Sequence, residues 1–234
     1  MADQKIVLLG DSGVGKTCFV HKLVYDRFNS QEPSTMGASF LKKTYETKGN
    51  KIYEFAIWDT AGQERFDSLA TFYTRDAGCG IIVFDITSRA SFEDLDRLYK
   101  KLEYADKRCY SILVGSKLDI VLEEPNLRAI TKEEAQQFAD LKNSTFFECS
   151  SKTGSNIPDI WEEIGKQYVR IKQEKKKKKN KLNKKLEKPI NKNNNNNSSS
   201  SSSSKNNKKN PKEKIQIKEE NIEKNKANNS GGCC

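Results

Sequence analysis

Apolar positions recur through the first 170 residues in two alternating rhythms. Lys5-Ile-Val-Leu-Leu9 is a short apolar run that stops at Gly10, and a glycine-punctuated loop separates it from an amphipathic stretch over residues 16–25. This predicts a strand, a loop and a helix. Residues 40–47 and 52–58 alternate with period two on either side of Lys48-Gly49-Asn50, as the arms of a hairpin do. Apolar runs at 80–85, 111–115 and 145–149 then alternate with helical patterns at 91–104, 131–141 and 157–171. Alternation of this kind argues for βαβ units. The predicted class is therefore α/β, with a six-stranded, mostly parallel sheet, helices on both faces, and one antiparallel edge strand supplied by the hairpin.

Composition changes sharply near Lys172. Residues 171–234 hold 19 Lys and 6 Glu, while residues 1–170 hold 23 Lys and Arg against 26 Asp and Glu, so the net charge of +10 belongs to the tail. Asn193 to Asn197 and Ser198 to Ser204 are low-complexity runs within it, and Lys175 to Lys179 is its densest basic block. A charged, apolar-poor segment cannot bury enough surface to offset its ordering entropy, so 171–234 is expected to be a disordered basic tail. Residues 1–170 read as one domain that removes roughly 70% of its unfolded surface from water. There is no apolar run long enough to span a bilayer, and the N-terminus lacks the apolar core of a signal peptide, which predicts a cytosolic chain. Cys18, Cys79, Cys109 and Cys149 show no C-x-x-C spacing and are expected to be small buried side chains, whereas Cys233 and Cys234 stand apart on the last two positions.

Gly10-Asp11-Ser12-Gly13-Val14-Gly15-Lys16-Thr17 satisfies G-x-x-x-x-G-K-[ST] between a predicted strand and a predicted helix, the context that motif requires. Its backbone N–H groups would face phosphates at the positive end of the helix. Lys16 would add a point charge, and the Thr17 hydroxyl would ligate Mg²⁺. Ser12 reads equally as a hydroxyl reaching the γ-phosphate and as a tolerated small residue. The motif specifies a nucleotide and leaves the base open. Trp58-Asp59-Thr60-Ala61-Gly62-Gln63-Glu64 follows at the end of the hairpin. Asp59 would hold Mg²⁺ through water, and Gly62 would offer its N–H to the γ-phosphate.

With these motifs in this order, residues 3–170 resemble the Ras-like small GTPases. The resemblance implies a P-loop NTPase fold, bound GTP or GDP, and slow GTP hydrolysis. It implies that Thr35, in Ser34-Thr-Met-Gly-Ala-Ser-Phe40, completes the Mg²⁺ shell, that Gln63 orients the attacking water, and that Phe28 packs on the guanine. Asp119 in Ser116-Lys117-Leu118-Asp119 would accept from the guanine N1–H and exocyclic amine, a donor pair that adenine lacks. Lys117 would pack over the base, and Ser150-Ser151-Lys152 would turn a backbone N–H toward O6. Thr-Met-Gly-Ala-Ser-Phe, the run from Trp58 to Leu69 and the Cys-Cys terminus resemble the Rab family of vesicle-traffic GTPases, and residues 37–41 resemble its early-endosomal branch. That likeness implies an effector-reading aromatic triad of Phe40, Trp58 and Tyr73, and geranylgeranylation of Cys233 and Cys234. It implies a monomer that works with effectors of the GTP form, an exchange factor, a GTPase-activating protein, a prenylation escort and a GDP-dissociation inhibitor. The expected place is the cytoplasmic face of intracellular membranes, endosomal ones included, with a soluble pool.

Two positions depart from the family pattern. Ser116 stands where the family has asparagine, and a hydroxyl is too short to span both the base and the P-loop backbone; this raises the alternative of a leaky switch governed mainly by membrane attachment. Ser151 replaces an alanine that acts through its backbone. His21 reads as a surface or packing residue. A small-substrate kinase would need a lid, and no Arg-rich insertion is present. A nucleic-acid binder would need aromatics interleaved with its basic tail, and the tail has none.

Overall fold

The structure is a computed structural model in which residues 2–62 and 72–186 are described. It contains β1 (Gln4–Leu9), α1 (Lys16–Tyr25), β2 (Ala38–Glu46), β3 (Ile52–Thr60), β4 (Cys79–Asp85), α2 (Arg89–Glu93), α3 (Leu95–Lys101), β5 (Tyr110–Ser116), α4 (Leu118–Glu123), α5 (Lys132–Leu141), β6 (Thr145–Glu148) and α6 (Ile157–Leu186). The six strands form one sheet in the order β2-β3-β1-β4-β5-β6. Only the β2–β3 pairing, which runs from Ala38↔Thr60 to Glu46↔Ile52, is antiparallel. The remaining pairs are parallel. From β1 the chain connects to β3 on one side and, later, to β4 on the other. The C-terminal end of β1 is thus a topological switch point, where a sheet of this kind opens a crevice.

The central strands β1, β4 and β5 are apolar on both sides because helices cover both faces. Ile6, Leu8, Ile81, Val83, Ile112 and Val114 pack with Phe19 and Val20 of α1 and with Ile160 and Ile164 of α6. Their neighbours Val7, Leu9, Ile82, Phe84 and Leu113 point the other way, toward Phe92, Leu95, Leu98, Ala135 and Ala139. Period-two alternation between two buried clusters is what makes these strands read as continuous apolar runs.

The structure departs from the sequence pattern in four places. The helix expected over 91–104 begins at Arg89, where the Ser88 side chain accepts from the Ser91 N–H, and breaks at Asp94 into α2 and α3. The short α4 lacks the length that periodicity needs, so no pattern announced it. Cys79 and Cys149 are buried as expected, but Cys18 and Cys109 are only half-buried. The largest correction concerns the tail. Residues 171–186, expected to be disordered, continue α6 as helix to Leu186. The helix is carried past the core by docked aromatics: Trp161 and Tyr168 meet Phe55 edge-on at 5.4 and 5.1 Å, and the Lys172 ammonium lies 4.4 Å from the centre of the Tyr53 ring and 3.2 Å from Asp3 Oδ1. Beyond that anchor, straight-chain Lys, Gln and Glu favour helix, and Arg170 Nε lies 3.6 Å from Glu174 Oε1 one turn on.

Candidate nucleotide site

Segments leaving the C-terminal ends of β1, β3, β5 and β6 converge, with the loop that holds Phe28 and Thr35, on a cavity of about 400 Å³. Ser12, Gly13, Val14, Gly15, Lys16 and Thr17 line one end. Phe28, Ser116, Lys117, Asp119, Ser151 and Lys152 line the other, with Thr35 and Gly62 also in the wall. Gly10, Asp11, Asp59 and Ser150 stand one layer behind.

At the P-loop end, Gly15 caps α1 at φ 92°, a left-handed conformation that favours glycine and that delivers the chain into the helix. Lys16 folds back to donate to the Gly10 carbonyl at 2.9 Å and the Asp11 carbonyl at 2.8 Å. Burial lowers its pKa to about 8, against the opposing pull of Asp59 and Asp11. The Asp11 side chain turns outward to α3, where Arg97 Nη2 lies 3.2 Å from its Oδ1 and also holds Asp94. Burial raises the Asp11 pKa, and the adjoining Asp94 adds to the shift. Gly62 packs so tightly on the P-loop that a Cβ there would overlap the backbone of Asp11 and Ser12.

Three oxygens meet between the P-loop, the Thr35 loop and β3. Thr17 Oγ1 lies 2.7 Å from Thr35 Oγ1 and donates to Asp59 Oδ2 at 2.7 Å. Asp59 is 1% exposed, its pKa is raised by burial against the Thr17 hydrogen bond and the Lys16 charge, and its Oδ1 is buried with no hydrogen-bond partner. Two hydroxyls and a carboxylate with one orphaned oxygen suit a hard divalent cation, which would supply the missing solvation.

At the far end, the Ser150 hydroxyl donates to Asp119 Oδ1 at 2.5 Å and fixes the carboxylate plane, while the Thr153 N–H donates to Ser150 Oγ at 3.1 Å. Lys117 has a left-handed backbone, φ 65°, and its ammonium lies 2.6 Å from Asp85 Oδ2. Lys152 reaches outward to Glu123 Oε1 at 3.1 Å. Ser116, expected to be too short to span both the base and the P-loop, reaches the P-loop. The residue is 2% exposed, and its hydroxyl lies 2.7 Å from the Val14 carbonyl and 2.9 Å from that of Phe84, which braces β5 against the P-loop.

Phe40 and Trp58 pack edge-on at 5.3 Å, and Trp58 lies 5.6 Å from Tyr73, so the three expected aromatics form one contiguous patch with Phe40 half exposed. His21 sits on α1 with Nδ1 3.5 Å from Glu32 Oε1. Gln63, Cys233 and Cys234 lie outside the described residues. Sequence reasoning missed Asp85 and Arg97, and it placed Ser150 in the loop that faces O6 without foreseeing that its hydroxyl holds Asp119. Asp85 and Arg97 belong to no motif, and all three meet their partners across at least 30 residues of chain, so only the fold brings them together.

The Ras family model matches residues 5–170, and the chain belongs to the Ras family. It is 43% identical over 166 residues to GTP-binding protein ypt5 of Schizosaccharomyces pombe, covering 70% of this chain and 77% of that protein. It is 37% identical over 202 residues to GTP-binding protein YPT52 of Saccharomyces cerevisiae, covering 75% and 86%, and 40% identical over 169 residues to Ras-related protein RABF2a of Arabidopsis thaliana, covering 72% and 82%. Within the family it is a Rab-type small GTPase, a GTP hydrolase that binds GTP and GDP.

Proposed function

We propose that this chain is a GTP/GDP switch with a nucleotide domain over 1–170, a Mg²⁺ site made by Thr17, Thr35 and Asp59, and a lipid anchor at Cys233 and Cys234. The observation that carries the reading is the hydrogen-bonded chain Thr35–Thr17–Asp59 beside Lys16. It joins the P-loop, the Thr35 loop and β3 through groups whose chemistry suits a cation bound to phosphate. Bound there, Mg²⁺ neutralises phosphate charge. Lys16 and the P-loop N–H groups cradle the phosphates. Thr35 and Gly62 draw their loops toward the γ-phosphate and release them after hydrolysis, so effectors recognise the GTP form through Phe40, Trp58 and Tyr73. Gln63 orients the attacking water. Without a partner's arginine finger such switches hydrolyse GTP at about 10⁻⁴ to 10⁻³ per second, so a GTPase-activating protein belongs to the cycle, as do an exchange factor, a prenylation escort and a GDP-dissociation inhibitor.

Two lipids on Cys233 and Cys234 give residence where one gives only marginal binding. The exposed lysines of α6 from Lys175 to Lys181 add attraction to an anionic leaflet of about 1 kcal/mol each when near its surface. Both features support a switch that works on the cytoplasmic face of an intracellular membrane, and the likeness to ypt5 and RABF2a supports an endosomal one. The test is the release rate of fluorescent GDP with and without a chelator. Chelation should speed release, and Thr17→Asn should lose GTP affinity more than GDP affinity; release indifferent to Mg²⁺ would overturn the metal assignment.

A further inference from the structure

Lys117 is the strained point of the guanine end of the cavity. It is a non-glycine residue with φ 65° and ψ 34°, it starts α4, and it lines the cavity two residues before Asp119. A left-handed backbone at such a residue persists only where its surroundings overdetermine it. What holds it is Asp85, the last residue of β4 and the register partner of Ser116. The Asp85 side chain is 9% exposed; Oδ2 lies 2.6 Å from the Lys117 ammonium, and Oδ1 accepts from the Thr87 N–H at 2.8 Å and the Thr87 hydroxyl at 2.7 Å. The Asp85 backbone is pinned as well. Its N–H donates to Ser91 Oγ at 3.0 Å, and its carbonyl accepts from the Ser88 N–H at 2.9 Å. A carboxylate held by two hydrogen bonds on a backbone pinned by two more, and aimed at one ammonium, is a device for placing that ammonium.

We infer that Asp85 is a positioning residue for nucleotide retention: by holding the Lys117 ammonium at the edge of the cavity it lays the lysine stem along the cavity wall and fixes the turn that presents Asp119. The inference rests on the proposed guanine site and adds a residue that no nucleotide-binding motif contains. Its consequence is specific. Removing the charge of Asp85 frees Lys117 without touching Asp119, so nucleotide should leave faster while the choice of base stays the same.

The experiment measures fluorescent GDP release from the full chain at fixed Mg²⁺ for the parent, Asp85→Asn, Lys117→Met and the double variant. Asparagine keeps an oxygen for Thr87 and loses the charge. Asp85→Asn should release GDP about 10-fold faster, with the GDP-to-ADP preference unchanged. If Asp85 acts through Lys117, the double variant releases no faster than Lys117→Met alone. A parental rate in Asp85→Asn, or single effects that multiply in the double variant, would overturn the inference. Thr87→Val offers a milder route should Asp85→Asn fail to fold: it removes one hold on Oδ1 and should give a smaller increase that also vanishes in the Lys117→Met background. Failure of the parent itself to bind guanine nucleotide would instead overturn the reading on which the inference stands.

Discussion

Replacing Ser116 by asparagine separates two roles that one residue type usually combines. The Ser116 hydroxyl has a single proton and two carbonyls within reach, Val14 at 2.7 Å and Phe84 at 2.9 Å, so that proton is committed to the backbone and none remains for the base. An asparagine amide has two protons and an oxygen, enough to keep the brace and add one contact to guanine. The gain is therefore one hydrogen bond, about 0.5–1.5 kcal/mol, and GDP release from Ser116→Asn should be about 2- to 13-fold slower. Ser116→Ala removes the brace itself and leaves the carbonyls of Val14 and Phe84 short of a donor; at about 1–3 kcal/mol it should release GDP about 5- to 150-fold faster. Both rates are read by displacing fluorescent GDP with excess unlabelled nucleotide at fixed Mg²⁺. An Asn variant that releases as fast as the parent would show that the hydroxyl does not limit affinity, and an Ala variant that matches the parent would show that it does not brace the P-loop.

Other residues give equally direct expectations. Gly62→Ala puts a methyl into the backbone of Asp11 and Ser12, so the variant should keep GDP and lose at least about 10-fold in affinity for a non-hydrolysable GTP analogue, as measured by competition. Gln63→Leu should bind GTP as the parent does and hydrolyse it more slowly in single-turnover assays; an unchanged rate would remove Gln63 from the mechanism. Within the protein's own surroundings the Lys16 pKa is about 8, and phosphates raise it, so binding above pH 8 takes up a proton. Affinity for GDP should hold steady below pH 8 and fall as pH rises through it, with proton uptake visible as a buffer-dependent heat; a flat profile from pH 7 to 9 would contradict this.

The sheet was legible because helices on both faces require long apolar strands, and their spacing survives in the chain as runs at 5–9, 80–85 and 111–115. The phosphate end was legible for a different reason. Gly15, Lys16 and Thr17 act through backbone and side-chain chemistry that is local in sequence, and Asp59 and Gly62 sit at the end of one strand. The guanine end was legible only in part: the Ser116–Asp119 and Ser150–Lys152 segments mark it, but the hold of Asp85 on Lys117 and of the Ser150 hydroxyl on Asp119 exists only once β4, β5 and β6 lie side by side. Which of its two contacts Ser116 keeps was not legible, because the distance to Val14 depends on how closely β5 approaches the P-loop. Helix beyond Ile171 was misjudged from charge: composition registers the repulsion among lysines, whereas the anchoring of Lys172 on Tyr53 and Asp3 is a tertiary fact.

Guanine recognition through Asp119 is open to a direct test. The Asp119 carboxylate is held by Ser150 and would accept from the N1–H and exocyclic amine of guanine; xanthine has a carbonyl where that amine stands, and an asparagine amide would donate to it. The measurement is the Kd of GDP, XDP and ADP for the parent and for Asp119→Asn at saturating Mg²⁺. The parent should prefer GDP to both others by on the order of 10²-fold or more, and Asp119→Asn should invert the order of GDP and XDP while still rejecting ADP. A parent that binds ADP as well as GDP, or an Asp119→Asn variant that keeps its preference for GDP, would contradict the account.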